Sequence, residues 1–293
     1  MSATARLAGF AVVLAALFGG GAAAGGLLDP SAPGGEARAQ VGAADAAGQG
    51  GGMEEHGGAK AMAVRGLAVA ENGLRLVVEN PELRRGATEP LRFRIVDARG
   101  RAVRDFDVEH TKRMHLIVAR RDLATFQHLH PTMAADGTWT TPLRLRDAGS
   151  YRVFADFAHD GTATTLATDL RVDGDADLRP LPASATTAEA DGGGYDVRLD
   201  SGAPRAGREA KLRFTITKGG RPVDVDPYLG ADGHLVALRD GDLAFLHVHP
   251  TDHGSGDGIG FEATFPTPGR YRLFLQFRHE GRVRTVAFTQ EVK

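Results

Sequence analysis

Short segments of apolar or alternating residues, separated by turn residues, make up the chain from residue 61 to residue 293. No stretch in this part carries a convincing helical period. Strands of this length at this spacing are typical of antiparallel β-sandwiches of the immunoglobulin-like kind. In the first half the pattern predicts the strands Leu74–Glu79, Leu91–Asp97, Met114–Arg120, Ala124–His130, Thr138–Leu145, Tyr151–Ala158 and Thr164–Val172.

The pattern occurs twice. Segments of the first half match segments of the second at an offset within one residue of 120, as Leu91–Ile95 matches Leu212–Ile216 and Gly149–Phe154 matches Gly269–Phe274. An offset this constant indicates a duplicated domain. The sequence therefore predicts an all-β protein with two tandem immunoglobulin-like antiparallel β-sandwich domains, at 61–172 and 195–293, joined by an acidic linker at 173–194. The Gly-x-Tyr phrase at Tyr151 and at Tyr271 resembles a tyrosine corner.

Residues 1–28 have the form of an export signal. Arg6 provides the positive charge, Leu7–Phe18 is an uncharged apolar run, and Ala22–Ala24 is an A-x-A cleavage candidate. The alternative is an uncleaved N-terminal anchor, because the uncharged stretch is almost long enough to span a bilayer. Residues 29–60 are rich in Gly and Ala and are predicted to be a flexible low-complexity linker. We therefore expect the protein to be secreted or extracytoplasmic, with a membrane contact only through an uncleaved N-terminal segment.

The amino-acid composition limits the kinds of partner and binding site that the chain can have. Hydrophobic residues make up 42% of the chain and charged residues 25%, as in a soluble globular protein. The 35 Lys and Arg residues nearly balance the 37 Asp and Glu residues, and no basic stripe is present, so nucleic acid is excluded as an expected partner. The chain has no cysteine, which excludes disulfides, Cys-based zinc sites and iron–sulfur clusters. A bound metal would need histidine or carboxylate ligands.

Histidines are the most informative feature, because four of them in each copy have a match in the other. The Asp240-Gly241 pair predicts a two-residue hairpin, whose register places His234 opposite His247, with His249 on the same face. If the first copy turns at Arg121-Asp122, His115 lies opposite His128 in the same way, with His130 beside them. The other histidines, His56, His110 and His253, have no match and are interpreted as linker or loop residues, with His253 a minor candidate because it lies near His249.

The fourth matched pair is His159 and His279, which end the Tyr151 and Tyr271 strands. In an immunoglobulin-like sheet these strands pair with the ones that begin at His115 and His234, so the histidines of each copy are expected to converge at one end of its sandwich. This reasoning predicts one metal site per copy, with the ligands His115, His128, His130 and His159 in the first and His234, His247, His249 and His279 in the second.

Copper as Cu(II) is the expected ion, because it binds most strongly to imidazole sites, and zinc is the alternative. Met114 and Met133 could add thioether ligands for Cu(I), but the second copy has Gly233 and Asp252 in comparable places. A purely structural interpretation remains open. The histidines share faces with Ile117 and Phe126, so they would then be hydrogen-bonded core residues that cap a sandwich end.

The phrases Met114-His115-Leu116 through His130-Pro131, and Pro227-Tyr228-Leu229-Gly230 through His249-Pro250, resemble exported bacterial proteins, notably of actinobacteria, with HL…FxHxHP repeats. That family is described as heavy-metal-associated, and the resemblance covers nearly all of residues 70–293. More distantly, the architecture is similar to small periplasmic copper-binding sandwiches of the CopC-like type, although the chain lacks their Met-rich loop.

The leading hypothesis is therefore an exported protein that sequesters, buffers or delivers copper or zinc, with the metal ion and another exported metal-handling or cell-surface protein as partners. The alternative is a non-metal immunoglobulin-like interaction or structural module at the cell surface. A lesser alternative is a cupin-like metalloenzyme, although Ala134 and Ala135 stand where a cupin would place a glutamate. No Ser-His-Asp order or phosphate loop is present, so an enzyme is not expected.

Overall fold

The structure is a computed structural model that describes residues 64–251 and 258–293, with only the backbone described for His247 and His249. The predicted export signal at 1–28, the predicted linker at 29–60 and His253 lie outside the described residues. Within the described ranges, no helix is long and apolar enough to cross a membrane.

The first repeat is a sandwich of two mainly antiparallel sheets. Its strands are β1 (Ala70–Glu71), β2 (Leu74–Val78), β3 (Glu82–Leu83), β4 (Thr88–Val96), β5 (His115–Arg120), β6 (Phe126–Leu129), β7 (Thr132–Met133), β8 (Trp139–Arg144), β9 (Gly149–His159) and β10 (Thr162–Val172). The outer sheet has the order β1-β2-β4-β8-β7 and the inner sheet the order β3-β10-β9-β5-β6. All these pairings are antiparallel except the short one between β3 and β10.

The second repeat has the same two-sheet plan. Its strands are β11 (Thr187–Glu189), β12 (Tyr195–Asp200), β13 (Glu209–Lys218), β14 (Arg221–Pro222), β15 (Gly233–Arg239), β16 (Phe245–His247), β17 (His249–Pro250), β18 (Ile259–Thr264), β19 (Gly269–His279) and β20 (Arg282–Val292). The outer sheet is β11-β12-β13-β18-β17, with β14 beside β13, and the inner sheet is β16-β15-β19-β20. Strand β11 lies within the segment 173–194 that the sequence assigns to a linker.

These sheets confirm the predicted all-β, two-sandwich fold. The alternation that predicted the outer strands has a direct cause, since Leu91, Phe93 and Ile95 of β4 point into the sandwich core and are fully buried, while Arg92 and Arg94 between them are exposed. The hydroxyl groups of Tyr151 and Tyr271 donate to the backbone oxygens of Asp147 (2.8 Å) and Thr267 (2.9 Å). This is the hydrogen bond of a tyrosine corner, formed once in each repeat.

The inner sheets of the two repeats pack against each other. All six residues of β5 are buried, because Leu116 and Val118 point into the core of their own sandwich while Ile117 and Ala119 point toward the other repeat. We call this contact between the inner sheets the seam. Its buried apolar residues are Ile117, Ala119, Leu123, Phe154 and Ala167 from the first repeat and Val236, Leu238, Leu243, Phe245 and Phe274 from the second.

The segment just before β1 also contacts both repeats at the seam. The Arg65 carbonyl accepts from the Phe245 amide of the second repeat (2.9 Å), while the Arg152 guanidinium of the first donates to the carbonyls of Gly66 (3.1 Å) and Leu67 (2.8 Å). Gly66 has a φ of 71°, and a Cβ there would lie 2.7 Å from the Phe245 Cβ. Only glycine fits this crossing without displacing its neighbours.

The predicted hairpin register is wrong by two residues in both repeats. Ile117, not His115, lies opposite His128, and Val236, not His234, lies opposite His247. Each loop contains four residues between the paired ends, which are joined by amide-to-carbonyl bonds from Arg120 to Thr125 (3.1 Å) and from Arg239 to Ala244 (3.0 Å).

An aspartate shapes each of these longer loops. The carboxylate of Asp122 accepts from the Ala124 amide, and that of Asp242 accepts from the Ala244 amide, at 3.1 Å in both cases. Each carboxylate also binds the arginine at the end of the preceding strand, so side-chain bonds take the place of the expected two-residue turn. Because the shift is even, the histidines keep the predicted face of their strands.

Candidate metal centre

Three histidines from both repeats meet at the seam. His115 begins β5, His128 lies in β6, and His234 is the second residue of β15. One ring nitrogen of each lies within 4.8 Å of one nitrogen of both others. The expectation of one separate cluster per repeat, at a sandwich end, is therefore wrong for these residues. The face that carries them is the face on which the two repeats pack, so the histidines of both copies reach the same place.

Carbonyl oxygens orient two of the three rings. The Nδ1 atom of His128 lies 2.7 Å from the Oε1 atom of Gln276, and the Nε2 atom of His115 lies 3.2 Å from the Glu109 carbonyl oxygen. In the same orientation, the Gln276 amide nitrogen donates to the Thr285 hydroxyl oxygen (3.3 Å). Since carbonyl oxygens only accept, these contacts favour a proton on His128 Nδ1 and on His115 Nε2.

The remaining nitrogens of these two rings face each other. His115 Nδ1 and His128 Nε2 are 3.0 Å apart. With both outer nitrogens protonated and both rings neutral, each inner nitrogen presents a lone pair to the other. Metal-binding histidines have this arrangement, in which one ring nitrogen donates to a carbonyl and the other is left for the ion.

The other rings of the cluster pack closely around this pair. His234 stacks on His115 (ring centroids 5.3 Å apart, planes 5° apart) and on His128 (4.6 Å, 27°). His130 lies 5.1 Å from His115 and 4.6 Å from His128, centroid to centroid. Its Nε2 atom is buried and has no hydrogen-bond partner among the described residues. Such an atom is the expected mark of an ion or water that the protein atoms alone do not supply.

Electrostatics keep two rings of the cluster, His128 and His130, neutral. Burial, and then the neighbouring His115 and His130 imidazoles, lower the pKa of His128 from its ordinary 6.5 to about 3. Burial, His115 and Lys112 lower the pKa of His130 to about 4. Both rings are therefore neutral at neutral pH, and the neutral imidazole is the form that binds metal ions.

His159 and His279 do not join the cluster, and the expectation that they converge with the others is wrong. Strand β9 pairs with β5 so that Asp156 lies opposite His115, which places His159 three residues farther along and on the opposite face. His159 Nδ1 lies 2.7 Å from the Asp105 carbonyl oxygen, and His279 Nδ1 lies 2.8 Å from the Tyr195 hydroxyl. Each of these histidines is bound within its own repeat.

The side chains of His247 and His249 lie outside the described part of the chain. Their backbones lie on different sheets, because β16 pairs with β15 of the inner sheet while β17 pairs His249 with Glu262 of the outer sheet.

Met114 is buried in the core of its own repeat, and Met133 packs against that core. Neither methionine shares the face of His115, so the idea of thioether ligands is not supported.

Sequence reasoning missed two residues of the cluster, His110 and Gln276. The His110 ring lies 6.2 Å from that of His115 and 6.0 Å from that of His234, centroid to centroid. His110 has no match in the second copy, so the repeat pattern does not single it out. Gln276 matches Asp156 at the repeat offset, and each lies opposite a cluster histidine. A search for polar residues on buried strand faces could have found Gln276.

Comparison with known proteins gives a family and distant structural similarities. No curated protein matches the sequence. The FdeC adhesin of Escherichia coli is 16% identical with a TM-score of 0.27, over 77% of this chain and 66% of that one. Salmonella alpha-2-macroglobulin reacted with methylamine is 15% identical with a TM-score of 0.28, over 79% and 15%. Domains 5–6 of the S-layer protein SbsC are 13% identical with a TM-score of 0.23, over 74% and 95%. TM-scores this low carry no functional argument.

The family assignment rests on sequence. The model of one family, described as "Domain of unknown function (DUF8832)", matches residues 68–174 and again residues 188–293. The two matches together cover well over half of the chain, one for each sandwich. The chain therefore belongs to the DUF8832 family and carries two copies of its domain.

Proposed function

We propose that this chain is an exported metal-binding protein that holds one Cu(II) or Zn(II) ion at the seam, through His115, His128 and His234. The observation that carries the proposal is the pair of ring nitrogens, His115 Nδ1 and His128 Nε2, that face each other at 3.0 Å while carbonyl oxygens occupy the opposite nitrogens. The export signal predicted at residues 1–28 supports an extracytoplasmic location.

The spacing suits an ion between these two nitrogens. Two nitrogens that each lie about 2.0 Å from one ion are about 2.8 Å apart at a right angle and about 3.3 Å apart at the tetrahedral angle. The 3.0 Å between His115 Nδ1 and His128 Nε2 falls between these values. Right angles are the preference of tetragonal Cu(II), and an all-imidazole donor set binds Cu(II) more tightly than Zn(II). Among the described residues, the cluster of His115, His128 and His234 contains no carboxylate, which argues against the two-histidine, one-carboxylate site of a cupin-like iron enzyme.

With His128 protonated on Nδ1 toward Gln276 Oε1 and no ion present, a hydrogen bond between the inner nitrogens requires His115 to donate from Nδ1, and each way of doing so has a cost. If His115 carries its proton on Nδ1 and donates to His128, its Nε2 lone pair faces the Glu109 carbonyl oxygen. If His115 is protonated on both nitrogens, a charge is held on a side chain that is only 4% exposed. An ion between the inner nitrogens satisfies both rings at once.

Sequestration or buffering is the function that this arrangement fits best, because the ligands are imidazoles alone and lie at a buried contact. Delivery to another exported metal-handling or cell-surface protein would require the seam to open. A metal-free structural or interaction module is the second candidate. It is favoured by the apolar seam, which joins the repeats through stacked rings such as Phe126 and Phe274 (centroids 4.2 Å apart) without any ion.

A competition titration tests the proposal. The metal-free full chain is titrated with Cu(II) and with Zn(II) against a chromophoric chelator, beside the variant His115→Ala/His128→Ala and the matched control His159→Ala/His279→Ala. We expect one tightly bound ion per chain for the wild type and the control, and a loss of affinity on the order of 100-fold or more for the first variant. A His115→Gln variant, which retains a hydrogen-bonding side chain, replaces the double variant if the latter unfolds.

Two results would contradict the metal-binding proposal and favour the structural module. One is a wild type that binds neither ion more tightly than an exposed surface histidine does. The other is an equal loss of affinity in the His159→Ala/His279→Ala control, whose side chains lie elsewhere in the fold.

A further inference from the structure

A tight turn above the cluster has an unusual backbone. Glu109 and Lys112 are joined by two backbone hydrogen bonds, of 2.8 and 2.9 Å, and the two residues between them, His110 and Thr111, have φ values of 47° and 68°. Two consecutive left-handed residues define the type I′ turn, which normally carries Asn-Gly. Threonine is β-branched and is a genuine outlier in this region.

The matching turn of the second repeat has the usual glycine at its second position. Tyr228 and Ala231 form the matching bridge, and the residues between them are Leu229 (φ 56°) and Gly230 (φ 84°). Glycine at the second position removes the steric conflict that Thr111 retains. The first repeat therefore keeps a strained turn where the fold offers a relaxed one, and strained backbone of this kind is concentrated at functional sites.

The strained turn serves the metal centre twice. Its Glu109 carbonyl oxygen lies 3.2 Å from His115 Nε2 and so orients that ring. Its His110 ring is turned edge-on to His115 and to His234, with interplanar angles of 75° and 78°. His110 is half-buried, and its ring packs against the buried His115 and the half-buried His234.

The geometry points to His110 as a further ligand, which the strained turn holds as a lid over the ion. This inference rests on the proposed metal site. His110 is not one of the three residues whose ligand atoms all lie within 4.8 Å of one another, so binding requires its ring to move toward them, by rotation of the side chain or by a shift of the turn. The ligand class is the same as for the cluster, a divalent transition metal that prefers imidazole.

Two substitutions separate the imidazole from the turn. His110→Asn removes the ring but places a residue that tolerates the left-handed region, so the turn is expected to fold. Thr111→Gly relieves the strain and keeps the ring. A third variant, Val108→Ala, changes a residue on the same loop that is 62% exposed and serves as the control.

The test measures Cu(II) affinity of the full chain by chelator competition and counts bound nitrogens by electron paramagnetic resonance. For His110→Asn we expect about a tenfold loss of affinity and one nitrogen fewer in the spectrum. Thr111→Gly and Val108→Ala should retain the full nitrogen count.

The inference is overturned if the wild type binds Cu(II) and His110→Asn leaves both affinity and spectrum unchanged, and the proposed metal function then still stands. It is also overturned if Thr111→Gly loses as many nitrogens as His110→Asn, because the effect would then belong to the turn and not to the ring. A wild type that binds no Cu(II) at all overturns the metal function itself.

Discussion

The two repeats share a sandwich plan and a tyrosine corner, yet their described side chains contribute unequally to the histidine cluster. The first repeat supplies His110, His115, His128 and His130 to the cluster, and the second supplies His234 and Gln276 among the described side chains. At matched positions, Asp156 in one repeat corresponds to Gln276 in the other. The two repeats thus present similar strand faces at the seam, and side chains from both faces form one histidine cluster.

The matched pair His159 and His279 shows the opposite outcome. Both residues were retained in both repeats, but each binds a partner in its own sandwich, the Asp105 carbonyl oxygen and the Tyr195 hydroxyl. Repetition of a histidine in the sequence therefore does not by itself identify a ligand. What distinguishes the cluster histidines is that their strand face is covered by the other repeat.

The largest expected effect comes from breaking the seam. Phe274→Ala removes a ring that stacks on Phe126 across the two repeats, and we expect it to lower the free energy of unfolding by about 3 kcal/mol. Trp139, the single tryptophan, reports on the first repeat, while circular dichroism reports on both. Urea transitions followed by the two signals should coincide in the wild type and separate in the variant. Coincident transitions without loss of stability would show that the seam does not couple the repeats.

A pH series should reveal the neutral imidazoles of the first repeat. His128 and His130 have folded pKa values of about 3 and about 4, below the ordinary 6.5. At a pH between the folded and the unfolded pKa values, the unfolded chain binds more protons than the folded chain. The contribution of these two histidines to stability is therefore complete well above pH 6.5 and falls as the pH drops toward 4. We expect a loss of about 3 kcal/mol between pH 6.5 and pH 5 in urea unfolding of the metal-free chain.

The control for this series is His159→Ala, which should keep the same pH dependence. A metal-free chain whose stability is flat from pH 6.5 to pH 5 would contradict the neutral, buried cluster.

Gln276 of the second repeat should affect metal binding without touching the ion. Its Oε1 atom lies 2.7 Å from His128 Nδ1, a contact that favours the proton on Nδ1 and leaves the other nitrogen of that ring as an acceptor. Gln276→Leu is expected to lower Cu(II) affinity between about 10-fold and 100-fold in chelator competition. Gln290→Leu, a glutamine on the neighbouring strand that binds Ser201, is the matched control and should have no effect on affinity. Equal effects of the two substitutions would remove Gln276 from the account.

The smallest expected effects on stability concern the tyrosine corner, which both repeats have. Tyr151→Phe and Tyr271→Phe each remove one tyrosine-corner hydrogen bond to a backbone oxygen. Each should lower the free energy of unfolding by about 1 kcal/mol, measured by urea denaturation. A large difference between the two would show that the corners do not have equivalent roles.

Much of the fold could be predicted from sequence, because the outer strands are buried on one face only. The alternation of Leu91, Phe93 and Ile95 with arginines predicts both the strand and its inward face. The seam could not be predicted, since β5 is buried on both faces and its continuous apolar pattern does not say what covers the second one. The hairpin register was wrong because the side-chain bonds of Asp122 and Asp242 stabilise a four-residue loop.

The histidine face was predicted correctly and the composition of the site was not. An even shift of register leaves His115 and His128 on the same face, so the cluster of these two survives the error. The contribution of His234 to the same cluster depends on how the two repeats pack, for which the sequence gives no periodic signal. His110 reaches the cluster through a turn that two non-glycine residues would not ordinarily form.

Native mass spectrometry of the full chain loaded with Cu(II) tests the shared site most directly. The comparison uses one substitution from each repeat, His115→Ala and His234→Ala, beside the wild type. If one site is built from both repeats, the wild type carries one tightly bound ion and either substitution alone removes it. A wild type with two ions, of which each substitution removes one, would contradict the shared site and restore a separate site in each repeat. A wild type that carries no ion would contradict metal binding altogether.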